Sequence, residues 1–335
     1  MNNPRNSKSP LPLPTKLKSY RDFNEAVLMV RRRYTGTEVD VDRQRLLSLM
    51  YYLLGWFLGD LGKQFGNRKL MTAGLNLTLT KRHPENQALG DFVFFECVQK
   101  LGVQVRRQRD RKPDNSSQYG AYLWDCRRSP LFGWFHVVCL GLKWSERAST
   151  HPVKMAWILG APRELKLWFI RGLSDSDGDV HINDKTVGIT TSPNRDFVNS
   201  LLQSVGCRTH VETSPRFDKV VITLNQAVEM KMFNPEILTH RRKILEKLAS
   251  AKTFQRHWPQ WLQERIASLI GSGLDPREIR MKVLDEEGVY VRLATLRKKK
   301  SRYQIANTRT ECRGRDSSPR SPGSMPSPDF SAGRL

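Results

Sequence analysis

Two acids stand at the ends of two similar apolar runs in this sequence. Trp168-Phe-Ile-Arg-Gly-Leu-Ser-Asp-Ser-Asp-Gly178 closes on Asp177, and Leu53-Leu-Gly-Trp-Phe-Leu-Gly-Asp60 closes on Asp60. One offset relates them: Gly55 to Gly172, Gly59 to Ser176 and Asp60 to Asp177 (177 − 60 = 117). Small residues four apart let two helices approach at backbone distance. Such a pair would set two carboxylates side by side at the foot of the seam. Carboxylates are oxygen ligands for hard divalent cations. A cation held there can lower the pKa of a water and stabilise a leaving oxygen, which is the chemistry of phosphodiester hydrolysis.

The charge balance points the same way. The 335 residues include 56 Lys and Arg against 33 Asp and Glu, a formal charge of +23. An excess of this size implies a polyanionic partner, with nucleic acid as the default. Other chemistries lack their signatures. There is no HExxH, no GxxxxGK[ST] and no Cys/His set with zinc spacing. Asp175-Ser-Asp-Gly-Asp179 has its glycine at position four and no closing Glu, unlike a calcium loop. The cysteines at 97, 126, 139, 207 and 312 form no CxxC pair, and Cys97 and Cys139 fall in apolar runs, so a reducing compartment is expected. The expected location is cytoplasmic, in a nucleoid or another reducing, DNA-containing compartment. Residues 1–20, rich in Pro, Lys and Ser, do not read as a signal peptide. The apolar run from Leu46 to Gly59 is too short to span a bilayer, so no membrane partner is expected.

The elements that must position the acids recur twice. In the first half a helix over 43–60 is followed by a strand at 75–80, whose leucines 75, 77 and 79 point one way and Asn76, Thr78 and Thr80 the other. A helix over 84–101 ends at Gly102, strands cover 103–107 and 119–127, and a helix covers 129–142. In the second half a helix at 163–176 precedes strands at 179–183 and 186–191. A helix then runs from Ser192-Pro193 to Val205, strands cover 207–213 and 217–224, and helices cover 225–232 and 235–250. Helix, two strands, helix, two strands, helix, twice over, means an internal duplication. The fold class is α+β, a pseudo-two-fold duplicated αββαββα arrangement followed by an all-α region. The expected boundaries are 1–42 for a basic N-terminal extension that includes a short helix at 20–34, 43–160 for the first half and 161–252 for the second. A helix-turn-helix-like region takes 253–303 and a disordered tail 304–335. In that region Asp275-Pro276-Arg-Glu278 is a capping box, and a last helix at 292–300 carries Arg297, Lys298, Lys299 and Lys300. Three short helices with a basic last one read as a DNA reader or as a basic hairpin packed on the body.

Over about residues 45–250 the sequence resembles the LAGLIDADG homing endonucleases. Ile170-Arg-Gly-Leu-Ser-Asp-Ser-Asp-Gly178 follows the family's motif position by position. Thr191-Ser-Pro-Asn and Asn234-Pro235 with His240-Arg-Arg242 look like its second half. The first motif departs from the pattern, with Leu61 where glycine is usual. Sliding one residue makes Gly62 the terminal glycine but puts Leu61 at the acid position. Only the Asp60 register aligns Gly55 and Gly59 with Gly172 and Ser176.

The resemblance implies a monomer with internal pseudo-symmetry that binds duplex DNA along a saddle of two sheets. It implies that Asp60 and Asp177 are catalytic metal ligands for Mg²⁺ or Mn²⁺, one from each motif helix, and that both strands are cut. It further implies basic residues beside the metals, with His240, Arg241 and Arg242 in the matching segment of the second half and Lys143 in the first. Outward strand residues Asn76, Thr78, Thr80, Gln104, Arg106, Gln108, His181, Thr190, Arg208, His210 and Lys219 are hydrogen-bonding types suited to major-groove edges. Two other readings stay open: a non-cleaving DNA-binding regulator on the same scaffold, and a maturase-like helper that binds structured RNA.

Overall fold

The computed structural model describes residues 13–35, 42–61, 65–107, 110–113, 118–215, 217–254 and 257–315. The chain forms two compact units, Met1–Ser250 and Ala251–Leu335.

The first unit is built on two buried helices. Helix α1 (Tyr20–Thr35) precedes α2 (Arg43–Trp56), which Asp42 caps by accepting from the Gln44 N–H at 3.0 Å. Every residue of α2 from Leu46 to Trp56 is buried, as expected of a helix apolar all round. It widens into a π turn, Phe57–Leu61, where Gly59 leaves helical geometry (φ −81°, ψ −122°). The segment expected to be one regular helix to Asp60 therefore loosens just before the acid. Strands β1 (Phe65–Asn67), β2 (Thr72–Gly74) and β3 (Asn76–Thr80) follow. Helix α3 (Glu85–Asp91) continues through π and 3₁₀ turns to Leu101 and stops at Gly102 in the left-handed region (φ 76°). Strands β4 (Val105–Arg107) and β5 (Ala121–Cys126) and helix α4 (Pro130–Trp134) complete the first repeat.

The second repeat starts with α5 (Arg163–Asp177), buried from Leu165 to Ser176, then β6 (Gly178–His181) and β7 (Thr186–Thr190). Helix α6 (Arg195–Ser204), strands β8 (His210–Thr213) and β9 (Asp218–Thr223), and helices α7 (Leu224–Glu229) and α8 (His240–Ser250) follow. The last helix begins five residues later than Pro235, where the sequence placed it.

The antiparallel sheet of the second repeat has the order β6-β7-β9-β8. The first repeat has five strands among the described residues where the sequence located three, at 75–80, 103–107 and 119–127: they form two sheets, β1-β2 and β3-β5-β4, parting at the buried Leu75. Read across Leu75, the order β1-β2/β3-β5-β4 repeats that of the second half. The Cys126 N–H still donates to the Leu75 carbonyl at 3.0 Å, so pairing continues past the break.

The expected extension is not separate from the body. Helix α1 buries Phe23, Ala26, Val27 and Val30 completely. Phe23 stacks on Trp157 (centroids 5.0 Å apart) and Trp134 (5.8 Å), with Tyr51 edge-on at 5.2 Å. Its period places four apolar residues on one face, and that face completes the first repeat's core.

The second unit holds β10 (Lys252–Thr253), α9 (Gln260–Gly271), α10 (Pro276–Glu287), β11 (Val289–Tyr290) and α11 (Leu293–Arg315). Asp275 and Glu278 form the reciprocal capping box of α10, and Gly288 ends it at φ 60°. Leu262, Ile266, Ile279, Val283 and Leu296 make a small core. Two differences from the sequence reading stand out. The region also contains a parallel pair of two-residue strands, β10 and β11. Helix α11 runs well past residue 300, into the segment expected to be disordered, while residues 316–335 lie outside the described residues.

Candidate metal centre and nucleic-acid interface

Helices α2 and α5 cross at backbone distance, through the four small residues. A Cβ on Gly172 would lie 2.0 Å from the Tyr52 carbonyl oxygen, and one on Gly55 would lie 2.2 Å from that of Phe169. The two contacts are mutual images, because 172 − 55 and 169 − 52 both equal 117. On the same axis a Cβ on Gly59 would meet Ser176 Oγ at 1.9 Å. An isologous contact of this kind is what a two-fold axis between the helices requires. Here the symmetry operates within one chain.

At the foot of this seam the two acids come together. The Asp60 N–H donates to Ser176 Oγ at 2.7 Å, and that hydroxyl donates to Asp177 Oδ1 at 3.1 Å. Burial raises the Asp177 carboxyl to about 7, with the nearby Asp60 charge pushing it further up and the Ser176 hydroxyl and Arg241 opposing. Burial also raises Asp60, against the pull of Arg241. Asp60 keeps solvent contact while Asp177 is half-buried, so the second acid is the more perturbed. Leu61 is fully buried. The register that would place it at the acid position puts an aliphatic core residue there, and Gly62 lies outside the described residues.

Of the basic candidates, Arg241 is the one brought to the acids. Its Nη1 donates to the carbonyls of Asp175 (2.6 Å) and Ser176 (3.3 Å), satisfying the open C-terminal end of α5. His240 stacks on His83, with centroids 4.1 Å apart, and burial lowers its pKa. Arg242 turns to Glu246 at 2.8 Å. Lys143 is exposed and pairs with Glu146 at 3.6 Å; the charges acting on Asp177 are those of Asp60 and Arg241.

Asp175 is structural in its contacts. Its Oδ2 accepts from the Tyr52 hydroxyl at 2.7 Å and from the Asn234 N–H at 3.0 Å, tying α5 to α2 and to the turn before α8. A cavity of about 380 Å³ opens beside Asp60 and Asp175, with His83, Asn86, His240 and Arg241 on its wall. Sequence reasoning did not find Tyr52, His83 or Asn86. His83 and His240 are 157 positions apart (240 − 83), and no spacing in the sequence pairs them. Only the offset of 117, which places Tyr52 opposite Phe169, could have drawn attention to Tyr52.

The predicted strand residues fall on common faces. In the first repeat Asn76 and Arg106 both lie opposite Asp125, and Asn76, Thr78 and Thr80 are exposed. Arg106 pairs with Asp125 at 3.3 Å while its guanidinium stays largely open. Gln104, just before β4, is exposed, and Gln108 lies outside the described residues. In the second repeat Thr190 lies opposite Lys219, and the rows Asp179-Gly188-Val221-His210 and His181-Thr186-Thr223 share that face. His181 lies across Gly188, where a Cβ would sit 3.0 Å from its Nε2. Lys219 Nζ is 3.4 Å from the same nitrogen. Arg208 and His210 are exposed, as are two acids on this face, Asp179 and Glu212.

In the second unit Arg297 and Lys298 are exposed, but the other two members of the run are engaged. Lys300 Nζ donates to the Leu274 carbonyl at 2.8 Å, and Lys299 Nζ lies 4.5 Å above the Trp258 ring. The expected reader surface is thus narrower than four consecutive cations. Among the described residues, Cys97, Cys126, Cys139 and Cys207 are buried and free. No helix among them is long and apolar enough to cross a membrane.

No family model matches the sequence, and no curated protein does. Among solved structures, the chain is similar to mesophilic variants of the homing endonuclease I-DmoI. Identity is 18%, over 56% of this chain and 94% of that one, with a TM-score of 0.40. It is similar to the homing endonuclease I-WcaI bound to its DNA recognition sequence, at 14% identity over 64% and 91% of the two chains, TM-score 0.43. It is also similar to the N-terminal LAGLIDADG domain of DUF199/WhiA, at 10% identity over 65% and 93%, TM-score 0.34. The structural neighbours thus carry the family name that the motif suggested. The reading of the site rests on this chain's own residues.

Proposed function

We propose that the protein is a site-specific, metal-dependent endonuclease of double-stranded DNA, acting as a monomer that carries both half-sites. The observation that carries this is the pair of carboxylates at the foot of a helix seam packed through Gly55, Gly59, Gly172 and Ser176. Asp60 and Asp177 are linked through one serine hydroxyl, and Asp177 is held up to about 7 by burial and by its partner's charge. Two crowded carboxylates on a chain of charge +23 call for a cation between them and a polyanion in front of them.

The donor set fits Mg²⁺ or Mn²⁺. Among the described residues no group of three or more His, Cys, Asp or Glu side chains is placed to hold a metal, so the protein would offer Asp60 and Asp177 and leave the other positions to water and phosphate. When bound, the metal would lower the pKa of a water and neutralise the leaving oxygen. Ser176 fixes the distance between the acids. Arg241, anchored on the end of α5, holds positive charge where phosphate charge develops. The outward rows of both sheets would meet the DNA, and α9 to α11 would add a helix-turn-helix contact through Arg297 and Lys298. The turn between α9 and α10 spans residues 272–275 and contains Gly273 at φ 83°, in keeping with that motif.

The test is cleavage of a duplex plasmid library with Mg²⁺ or Mn²⁺, by the full chain and by Asp60→Asn and Asp177→Asn. Binding should persist and double-strand cutting should collapse in both variants. If the full chain binds duplex DNA but never cuts, the regulator reading replaces this one. If Asp60→Asn cuts as well as the parent, the first repeat serves binding alone.

A further inference from the structure

The second unit contains a cavity of about 740 Å³, lined in part by Thr295 and Lys299 of α11. This is within the range of about 300–1,000 Å³ typical of small-ligand sites. Its walls combine two kinds of group. Phe254, Trp258 and Tyr290 provide aromatic surface, and Arg292, Lys299 and His257 provide positive charge or hydrogen bonds. Among the described residues no Asp or Glu lines it.

The sequence explains how these residues meet. Phe254 and Trp258 are half-buried, packed against the core that holds Leu262, Ile266 and Leu296, and both line the cavity. The parallel pairing of Thr253 with Tyr290 brings the two segments side by side. From the start of α11, Arg292, Thr295 and Lys299 recur at a spacing of three and four, which is one helix face. Lys299 Nζ sits 4.5 Å over the Trp258 ring, a place an incoming base would take as the ammonium moves onto its phosphate. From 292 to 303 the chain carries Arg292, Arg297, Lys298, Lys299, Lys300 and Arg302 and no acid.

We propose that this cavity binds an unpaired nucleotide of a nucleic-acid strand, with the base against Trp258 and Phe254 and its phosphate on Arg292 and Lys299. Aromatic rings fixed within a basic groove form a stacking platform, which accepts any base because every base has a π face. Thr295 and Gln263, also on the wall, supply hydrogen bonds to a base edge. A base inside a paired stack has no free face to offer, so the rings reach one only after it has left its neighbours, as in enzymes that extrude a base. The site is separate from Asp60 and Asp177, and the proposal does not depend on cutting.

The test uses the full chain in EDTA, with three probes: a ten-residue thymidine oligonucleotide, a fully paired duplex and thymidine monophosphate. The variants are Lys299→Met and Trp258→Leu, the latter keeping apolar mass against the core. Trp258→Leu should bind the oligonucleotide about tenfold more weakly, the loss of one base contact, and Lys299→Met should lose about as much through one charged phosphate contact, while the affinity of each for the duplex changes less than twofold. A 5-iodouracil substituted strand should crosslink to the peptides carrying Trp258 or Tyr290. Parent-like oligonucleotide binding by Lys299→Met would overturn the proposal, and so would equal losses on both strand forms or crosslinks confined to residues 13–250. Monophosphate binding as tight as the oligonucleotide would also overturn it, assigning the cavity to a free nucleotide. Duplex binding in the same titration reports separately on the endonuclease reading.

Discussion

Gly172→Ala is the sharpest perturbation of the seam. The added methyl would lie 2.0 Å from the Tyr52 carbonyl oxygen, and ordinary contact begins near 3.4 Å, so about 1.4 Å (3.4 − 2.0) must be recovered. The obstacle is backbone of a helix buried on all sides, so no rotamer change relieves it. Overpacking of this kind costs about 1–3 kcal/mol. Alanine recovers up to ~1 kcal/mol of helix propensity over glycine, and since the clash is with fixed backbone its cost lies at the top of that range, leaving a net loss of up to about 2 kcal/mol. Separating α2 from α5 to accommodate the methyl would also stretch the 2.7 Å bond from the Asp60 N–H to Ser176 and spread the carboxylates. A misplacement of ~1 Å can lower a reaction rate by about 10²-fold. Urea unfolding followed by tryptophan fluorescence measures the first effect and plasmid cleavage the second. Gly160→Ala is the control, since nothing lies within 4 Å of its added Cβ, and it should stay within about 0.5 kcal/mol of the parent. If Gly172→Ala also stays within that margin and cuts normally, the helices are not packed at backbone distance and the site geometry falls with them.

Phe23→Ala should destabilise the first unit by about 3–5 kcal/mol, because Phe23 is fully buried among Trp157, Trp134 and Tyr51; a urea midpoint equal to the parent's would show α1 to be dispensable. Metal-free protein should lose stability as pH rises through about 7, because a carboxyl raised in the folded state contributes fully below its unfolded value and loses that contribution once it ionises. Melting temperatures at pH 5.5 and 8 without metal check this. Mg²⁺ should restore stability selectively at pH 8, and Asp177→Asn should flatten the slope. Arg241→Met should cost about 1–3 kcal/mol in lost charged hydrogen bonds and move the acid limb of the cleavage profile to higher pH, whereas an unmoved limb would leave Arg241 a structural cap only. Affinity for duplex DNA should fall steeply between 50 and 200 mM salt, on the order of 10³-fold for six or more phosphate contacts; a flat response would count against the sheet faces as the binding surface.

The sequence carried the seam because it is encoded locally and twice. Gly55, Gly59, Gly172 and Ser176 repeat at one offset, and nothing but close helix contact requires small residues there. Helix order was also legible, since the periodicity of each segment reports the face it buries, whereas strand pairing joins segments distant in sequence and was not. Nor were the breaks legible. The π turn at Phe57–Leu61 leaves apolar spacing intact, so the helical period reads straight through it, while β1 and β2, three residues each, are too short to show alternation and were not located. Helix α1 reads in sequence as part of a basic extension because of Arg21 and the run Arg31, Arg32 and Arg33, yet four apolar positions on one face were enough to fix it in the core.

Side-chain chemistry at the site followed a different logic from the fold. Asp60 and Asp177 belong to symmetric positions, but the groups around them do not. Asp175 has Leu58 as its counterpart at the offset of 117, and Arg241 caps α5 from α8 near both acids. A duplicated sequence predicts duplicated backbone, because packing of the two halves against each other constrains both alike. It does not predict duplicated electrostatics, because each half's acid is bordered by loops and helix ends that face different neighbours. The cavity beside Asp60, lined by His83 and His240 from the two repeats, follows from that difference. The two carboxylates should therefore titrate as an unequal pair, with Asp177 the last to ionise as pH rises and the first to gain from a bound cation.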